Sequence, residues 1–357
     1  MVHSVESSTS IAAYSAYPDS AASPRVRITG FAPYLRDRGV DVDFRPSLTV
    51  PEYKLLESMA SARAKASVLL RSTARVALRK PAGPDALVMI HRLLMMFALP
   101  GIDPPRRIDV YDFDDALFLG SILPVNRRFA WLKREAERWV RYVSSARLVL
   151  AGNSYLADRA YVWNKHVEVI PSCIDARGHS ARAKGNSGLL TLGWIGSGST
   201  SGYLKPAVQA FSDFNRNGLR ARLLLIGAHT DFGVPGVETR PWSLLEEERA
   251  LSEMDIGLMP LPDDPWTRGK CGYKLLRYFN AGVPAVASPV GVNSELVGAE
   301  RGLLARTHKD WLASLRYLAS DPLARREMGE RGQAFVRRWY SYERWAPEVA
   351  RMLRALA

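Results

Sequence analysis

Residues 255–297 read DIGLMPLPDDPWTRGKCGYKLLRYFNAGVPAVASPVGVNSELV, and no other stretch limits the possible folds as tightly. Ile256-Gly257-Leu258-Met259 is a short apolar run ended by Pro260, which suits a buried strand. Pro262, Pro265 and Gly269 then mark a loop, because none suits a helix interior or a central strand. Tyr273, Leu275, Leu276 and Phe279 recur at helical spacing, and Gly282 is a natural stop because glycine takes the left-handed conformation freely. Residues 283–288 (VPAVAS) read as a second buried strand and 290–293 as the loop leaving it. Strand, loop, helix, strand is a βαβ unit, and such units build parallel sheets. Open α/β sheets bind ligands beyond the carboxyl ends of their strands, where Arg268, Lys270 and Lys274 surround Gly269 and Gly272. Cations at a glycine-rich helix start make a phosphate site; they equally suit a solvated basic helix start.

A chain of 357 residues exceeds one ordinary domain, so two of about 170 residues each are expected. Its 47% hydrophobic and 24% charged residues are those of a globular protein. Cys173 and Cys271 lie far apart, outside any metal-ligand spacing, as expected of packed thiols in a reducing compartment. The first ten residues lack a basic region followed by an apolar core, and no run approaches the roughly eighteen apolar residues of a membrane span. A cytoplasmic protein is expected. The net charge of +13 suits nucleotide diphosphates, anionic membranes or nucleic acid, although an arginine- and alanine-rich composition accounts for part of it. Aromatic residues fall at core spacing on helices, without the stacking platform of a single-strand binder, so no nucleic-acid partner is expected.

From the start, residues 10–16 read as a strand, 17–24 as a loop, 25–38 as a helix closed by Gly39, and 40–44 as a second strand. Residues 53–80 form one or two helices with seven cations against the single anion Glu57. Such a segment suits an anionic membrane or acceptor, or the solvated outer face of a helix burying Leu69-Leu70 and Val76-Ala77-Leu78. Strands follow at 85–90 and 108–113, a helix at 127–143 with a stripe of Phe129, Leu132, Ala136, Trp139 and Val143, and strands at 147–151 and 167–170. The polar segment 181–188 is the expected interdomain linker, and a strand at 189–195 restarts the pattern. Gly196-Ser197-Gly198-Ser199-Thr200 separates that strand from a helix, so a phosphate could approach its backbone amides. Further strands are expected at 222–226 and 237–239, and helices at 244–254, 310–319, 322–339 and 342–357.

The strand at 108–113 delivers Asp112, Asp114 and Asp115 at its carboxyl end. Three carboxylates this close repel one another, which points to an exposed catalytic loop or a metal site.

The words Pro265-Trp266-Thr267-Arg268-Gly269-Lys270, Tyr273-Lys274-Leu275, Ala281-Gly282-Val283-Pro284 and Ala287-Ser288-Pro289-Val290-Gly291 together resemble the C-terminal signature of the retaining, family-4 (group 1) glycosyltransferases. The likeness covers about residues 145–345 and is thin before Tyr111. It implies an α/β protein of two Rossmann-like domains facing across a cleft, the B-type architecture, with the final helix crossing back to the first domain. The corresponding divisions are an acceptor domain at 1–180, the linker, a donor domain at 189–340 and a terminal helix at 341–357. The resemblance implies transfer of a sugar, with retention, from a nucleotide diphosphate to the hydroxyl of a bacterial glycolipid, polysaccharide precursor or natural product, without a metal. The alternative is a non-catalytic nucleotide-sugar-binding protein on the same fold.

Residue by residue, the resemblance places the donor on Gly196, Ser197, Thr200, Arg268, Gly269, Lys270, Cys271, Gly272, Lys274 and Arg277, with the base near Pro241-Trp242. Arg268, Lys270 and Lys274 would neutralise the departing phosphates, because the basic residues many relatives carry near 197–200 are replaced by Ser197 and Thr200. Asp114 falls where many relatives place a histidine that touches the donor sugar, and it joins Arg268 and Lys270 as a catalytic candidate. Asp19, Ser20, Asp112 and Asp115 are candidates for the acceptor. Two glutamates common in relatives fall on Gly269 and Arg277, so neither glutamate role transfers.

Overall fold

A computed structural model describes residues 8–58, 60–97, 101, 103, 105, 107–120, 133–177, 189–216, 220–230 and 232–357. The chain forms two compact units. The first comprises residues 1–173, 269–271 and 342–357; the second comprises 174–268 and 272–341. The expected linker at 181–188 lies outside the described residues, as do Phe129 and Leu132 of the expected stripe.

The first unit is built on strands β1 (Thr9–Ser15), β2 (Val40–Pro46), β3 (Leu87–His91), β4 (Val110–Phe113), β5 (Leu148–Ala151) and β6 (Val167–Val169). Among the described residues they form one parallel sheet in the order β2-β1-β3-β4-β5-β6. The inner strands are apolar almost throughout because helices cover both faces, as parallel sheets require. The helix expected after β1 is broken into Ala22–Pro24, one π-helical turn at Arg25–Thr29, and Ala32–Arg36. A side chain on Gly30 would meet the Tyr342 hydroxyl, which donates to the Val26 carbonyl at 3.1 Å.

Residues 53–80 resolve into α1 (Val50–Glu57) and α2 (Ala62–Ala77). Thr49 and Glu52 make a reciprocal capping box on α1, and Ser61 caps α2. The buried face of α2 matches the sequence expectation at Val76 and departs from it at Leu70, Ala77 and Leu78. Val68, Ser72 and Val76 face inward at intervals of four, whereas Leu70 and Leu78 are 72% and 84% exposed. The three inward residues form one stripe at helical period. The helix expected at 127–143 is described as α3, Glu135–Ser145, and it buries Trp139 and Val143.

The second unit contains β7 (Leu190–Ile195), β8 (Ala221–Ile226), β9 (Val237–Arg240), β10 (Ile256–Met259), β11 (Ala285–Ala287) and β12 (Gly302–Leu304). They also pair parallel, in the order β12-β11-β10-β7-β8-β9. Helices α4 (Lys205–Arg216), α5 (Leu244–Glu253), α6 (Tyr273–Asn280), α7 (His308–Ser320) and α8 (Pro322–Trp339) flank this sheet. β10 and α6 have the bounds read from sequence. Gly282, at φ +68°, ends α6 in a Schellman turn, with Gly282 N–H donating to Phe279 and Val283 N–H to Tyr278, both at 2.9 Å. A short helix, Pro265–Arg268, stands inside the expected loop, and β12 carried no signal because three residues are too few to show a period. The terminal helix α9 (Tyr342–Arg354) belongs to the first unit, packing Ala346, Val349, Ala350 and Leu353 into the same core as Ile28, Phe31 and Leu35.

The burial of Val68 and the exposure of Leu70 are testable by chemical denaturation. Val68→Ala should destabilise the protein by about 1.5–3 kcal/mol, the value of a buried valine. Leu70→Ala should change stability by less than about 0.5 kcal/mol. Equal losses would contradict the observed orientation.

Candidate functional site

In the first sheet the chain runs outward from β1 to β2 on one side and from β3 to β6 on the other, so the topological switch point lies between β1 and β3. Ligands of open α/β sheets bind beyond the strand ends at such points. A hydrogen-bonded polar cluster occupies this edge. His91, the last residue of β3 and fully buried, places Nδ1 2.6 Å from Asp112 Oδ1 and Nε2 2.7 Å from Ser23 Oγ. Ser23 Oγ also donates toward both Asp114 oxygens at 2.7 Å. Arg27, on the π-helical turn, grips Asp112 through Nε at 3.1 and 3.2 Å and through a terminal nitrogen.

Arg92 follows His91 with φ +57°, a left-handed conformation that is costly outside glycine. Two bonds hold it there: its N–H donates to Asp112 O at 2.8 Å, and its carbonyl accepts from Tyr111 Oη at 2.9 Å. Its guanidinium then spans Asp114 at 2.5 Å and Asp115 at 3.0 Å. Lys270 Nζ takes the other Asp115 oxygen at 2.7 Å. Each carboxylate expected to repel its neighbours therefore has its own cations. Burial pushes the Asp114 carboxyl upward, but Arg92, His91 and Arg27 override it and hold the group well below the usual carboxylate range. Asp112 is likewise depressed against its burial by Arg27 and His91. Among the described residues, no group of three or more His, Cys, Asp or Glu side chains is placed to hold a metal ion.

Gly269, Lys270 and Cys271 are part of the first unit. Asn153 Nδ2 donates to the carbonyls of Gly269 at 3.1 Å and Lys270 at 3.3 Å. Asn153 Oδ1 meanwhile caps the helix Ser154–Ala160. Burial and the charge of Asp114 push the Cys271 thiol far up. Asp19 is exposed; Ser20 is half-buried, and its Oγ is enclosed without a hydrogen-bond partner.

The second sheet has its switch point between β7 and β10. Gly196-Ser197 leaves β7 and opens a 3-10 turn, Gly198–Leu204, that leads into α4. Glycine is required at 196, where a Cβ would lie 2.2 Å from the buried Trp194 ring, and at 198 a Cβ would meet the exposed His229 ring. Thr200 turns back to Ser197 O through both N–H (2.9 Å) and Oγ1 (3.1 Å). Lys274, in the first turn of α6, lies 5.3 Å from the Trp194 ring centroid, and its side chain passes Gly196. Gly272, at φ +67°, begins α6 in a left-handed conformation. Arg268 is half-exposed, with Nε 2.7 Å from Asp263 and its backbone against Gly291.

Arg277 is buried, binding Glu247 at 2.7 Å and also Glu248; Trp242 Nε1 donates to the second Glu247 oxygen at 2.7 Å. Glu247 and Glu248 on α5 thus bring carboxylates to the side chain at 277. Sequence reading missed Ser23, Arg27, His91 and Arg92 in the first unit and Glu247 and Glu248 in the second. His91-Arg92 at a strand end was the only local signal for any of them.

No family model matches the chain, and no curated protein matches its sequence. Solved structures do resemble it. Sucrose-phosphate synthase from Thermosynechococcus elongatus aligns at 14% identity over 98% of this chain and 99% of its own, with a TM-score of 0.66. A glycosyltransferase from Rickettsia africae aligns at 11% identity over 98% and 99%, with a TM-score of 0.65. The Anabaena protein HepE, solved with UDP and glucose, aligns at 14% identity over 98% and 100%, with a TM-score of 0.62. At these identities the likeness concerns the fold, and it spans nearly the whole chain: two Rossmann-like domains of the B-type glycosyltransferase architecture.

Proposed function

We propose that this chain is a glycosyltransferase that moves a sugar from a nucleotide diphosphate to an acceptor hydroxyl with retention of configuration. The observation that carries the reading is the polar equipment at the switch points of two parallel sheets, in a chain that resembles sugar-transferring and UDP-bound structures end to end. The donor is assigned to the second unit. Loop amides at 197–199, with Arg268 and Lys274, would stabilise the charge that develops on the leaving phosphate. The nucleotide base and ribose are assigned to the Trp242, Glu247, Glu248 and Arg277 group. Lys270 belongs to the first unit, where Asp115 holds it.

Asp114 is the candidate contact for a reacting hydroxyl. A carboxylate held so low is a poor proton acceptor at neutral pH, since an effective general base has a pKa near the working pH. Its role in this reading is to orient a hydroxyl by accepting its hydrogen bond, with the proton leaving on the departing phosphate. The reaction needs no metal in this proposal, because cationic side chains supply the charge. Among the described residues, no helix is long and apolar enough to cross a membrane. Peripheral contact with an anionic membrane is assigned to α2, whose exposed Leu70 and Leu78 stand among arginines. The rival reading, a non-catalytic nucleotide-sugar binder, is favoured by one observation: Arg277 stands where relatives place an acid.

Thermal unfolding with UDP, GDP and ADP, with and without chelator, tests the donor site, because a ligand bound only by the folded state raises its stability. One nucleotide should raise the midpoint equally in both conditions, and Lys274→Met should abolish the shift. No shift, or a shift that needs added metal, would sink the site as drawn. With that nucleotide's sugars as donors, slow release of free nucleotide separates enzyme from binder. Asp114→Asn should lower the release rate on the order of 10²-fold while leaving the nucleotide-induced midpoint shift intact. Binding without any turnover would support the non-catalytic reading.

A further inference from the structure

The outer strand of the first sheet gathers more arginine than its carboxylates balance. Arg45 stands near the end of β2, Arg71 and Arg75 on α2, and Arg79 just beyond it. Glu52 takes two of them: Arg75 bidentately at 3.0 and 3.1 Å, and Arg71 at 3.4 Å. Asp43 takes Arg45 at 2.6 Å. Arg79 has no carboxylate within ion-pair distance among the described residues. Its terminal nitrogens donate to the carbonyls of Arg45 at 2.9 Å and Pro46 at 2.8 Å, which hold the guanidinium in place without cancelling its charge. Arg79 and Arg45 both lie on the Tyr14 ring, 5.2 and 5.7 Å from its centroid, and Arg45 also donates to Tyr14 Oη at 3.1 Å. Burial foremost, then Arg45 and Arg75 as like-charged neighbours, lower the Arg79 pKa against the opposing influence of Tyr14 and Asp43, although the group stays protonated at any physiological pH.

A fixed, half-buried guanidinium beside like charges is unfavourable unless an anion completes it. Its position matters as much as its charge. Tyr14 and Arg45 are in register one residue before the ends of paired parallel strands, so the cluster stands on the carboxyl edge of the sheet. Ser23 follows β1, Arg92 follows β3 and Asp114 follows β4 on that same edge. Planar guanidinium forks match phosphate oxygens in geometry as well as in sign.

We propose that Arg79, with Arg45 beside it, forms a phosphate subsite of the first unit, and that the acceptor carries a phosphate. The substrate class rests on the glycosyltransferase reading; the phosphate site itself does not. The phosphate could belong to a soluble phosphomonoester or to a lipid headgroup, and both present the same oxygens.

The test is calorimetric titration of the full chain with sodium phosphate and with glycerol 1-phosphate at constant ionic strength. It is run in a Lys274→Met background that removes the proposed diphosphate site. Arg79→Gln and Arg45→Gln should each weaken binding at least fivefold, while Arg79→Lys retains part of it. Unliganded thermal midpoints identify any variant that has lost its fold, and two separate glutamine variants keep the test decisive if one has. A second arm compares vesicles of phosphatidylglycerol and phosphatidylcholine by sedimentation. Binding of soluble phosphates assigns a phosphomonoester. Arginine-dependent binding of phosphatidylglycerol vesicles alone assigns a headgroup. Affinity unchanged in both glutamine variants, or no binding to soluble phosphate or anionic vesicles, would overturn the subsite. Phosphate binding with no sugar transfer from any donor would instead overturn only the glycosyltransferase reading.

Discussion

Asp112 is a carboxylate on the buried strand β4, and the first unit's polar edge is arranged around the need to compensate it. An unpartnered charge at that depth would cost several kcal/mol. Arg27 and His91 supply the compensation from two other elements, and in doing so they fix the π-helical turn and the end of β3. The backbone of the same aspartate receives the Arg92 N–H, and that bond together with the Tyr111 hydroxyl keeps Arg92 left-handed. Only from that conformation is Arg92 seen to span Asp114 and Asp115. One buried ion pair therefore propagates into the orientation of two carboxylates at the sheet edge.

The second unit meets a similar demand differently. Arg277 lies buried on the apolar helix α6, and α5 answers it with Glu247 and Glu248, while Trp242 uses the oxygen Arg277 leaves open on Glu247. The network ties α5, α6 and the end of β9 together beside the glycine loop after β7. Glycines 196 and 272 are required there by the close approach of Trp194 and Leu296. Rigidity around a loop is what electrostatic stabilisation of a phosphate by backbone amides requires.

Much of this fold is legible in local patterns. The bounds of β10 and α6, and the stop at Gly282, follow from apolar periodicity bracketed by proline and glycine, which act over a few residues. The same local signals misjudge α2, because a helix with leucines and valines on several faces does not declare which face the sheet will take. They also cannot foresee the break after β1, where Gly30 makes room for Tyr342 from the far end of the chain. Of the site, the Asp112, Asp114 and Asp115 cluster and the cations at 268–274 are visible as sequence-adjacent groups. Ser23, Arg27, His91 and Arg92 are not, because each gains its role from a partner on another element.

By itself, the sequence determined the class of the fold: alternating buried strands and helices joined by glycine- and proline-marked loops, which build parallel sheets with polar residues at their carboxyl ends. The physical reason is that strand period, helix period and turn chemistry are properties of neighbouring residues. Tertiary structure alone decided which charges meet. Arg27 and Asp112 are 85 positions apart, and Lys270 and Asp115 are 155 apart. Ion pairing acts through space, so no local pattern could show that three adjacent aspartates, which read as a repelling group or a metal site, are each held by a cation of their own.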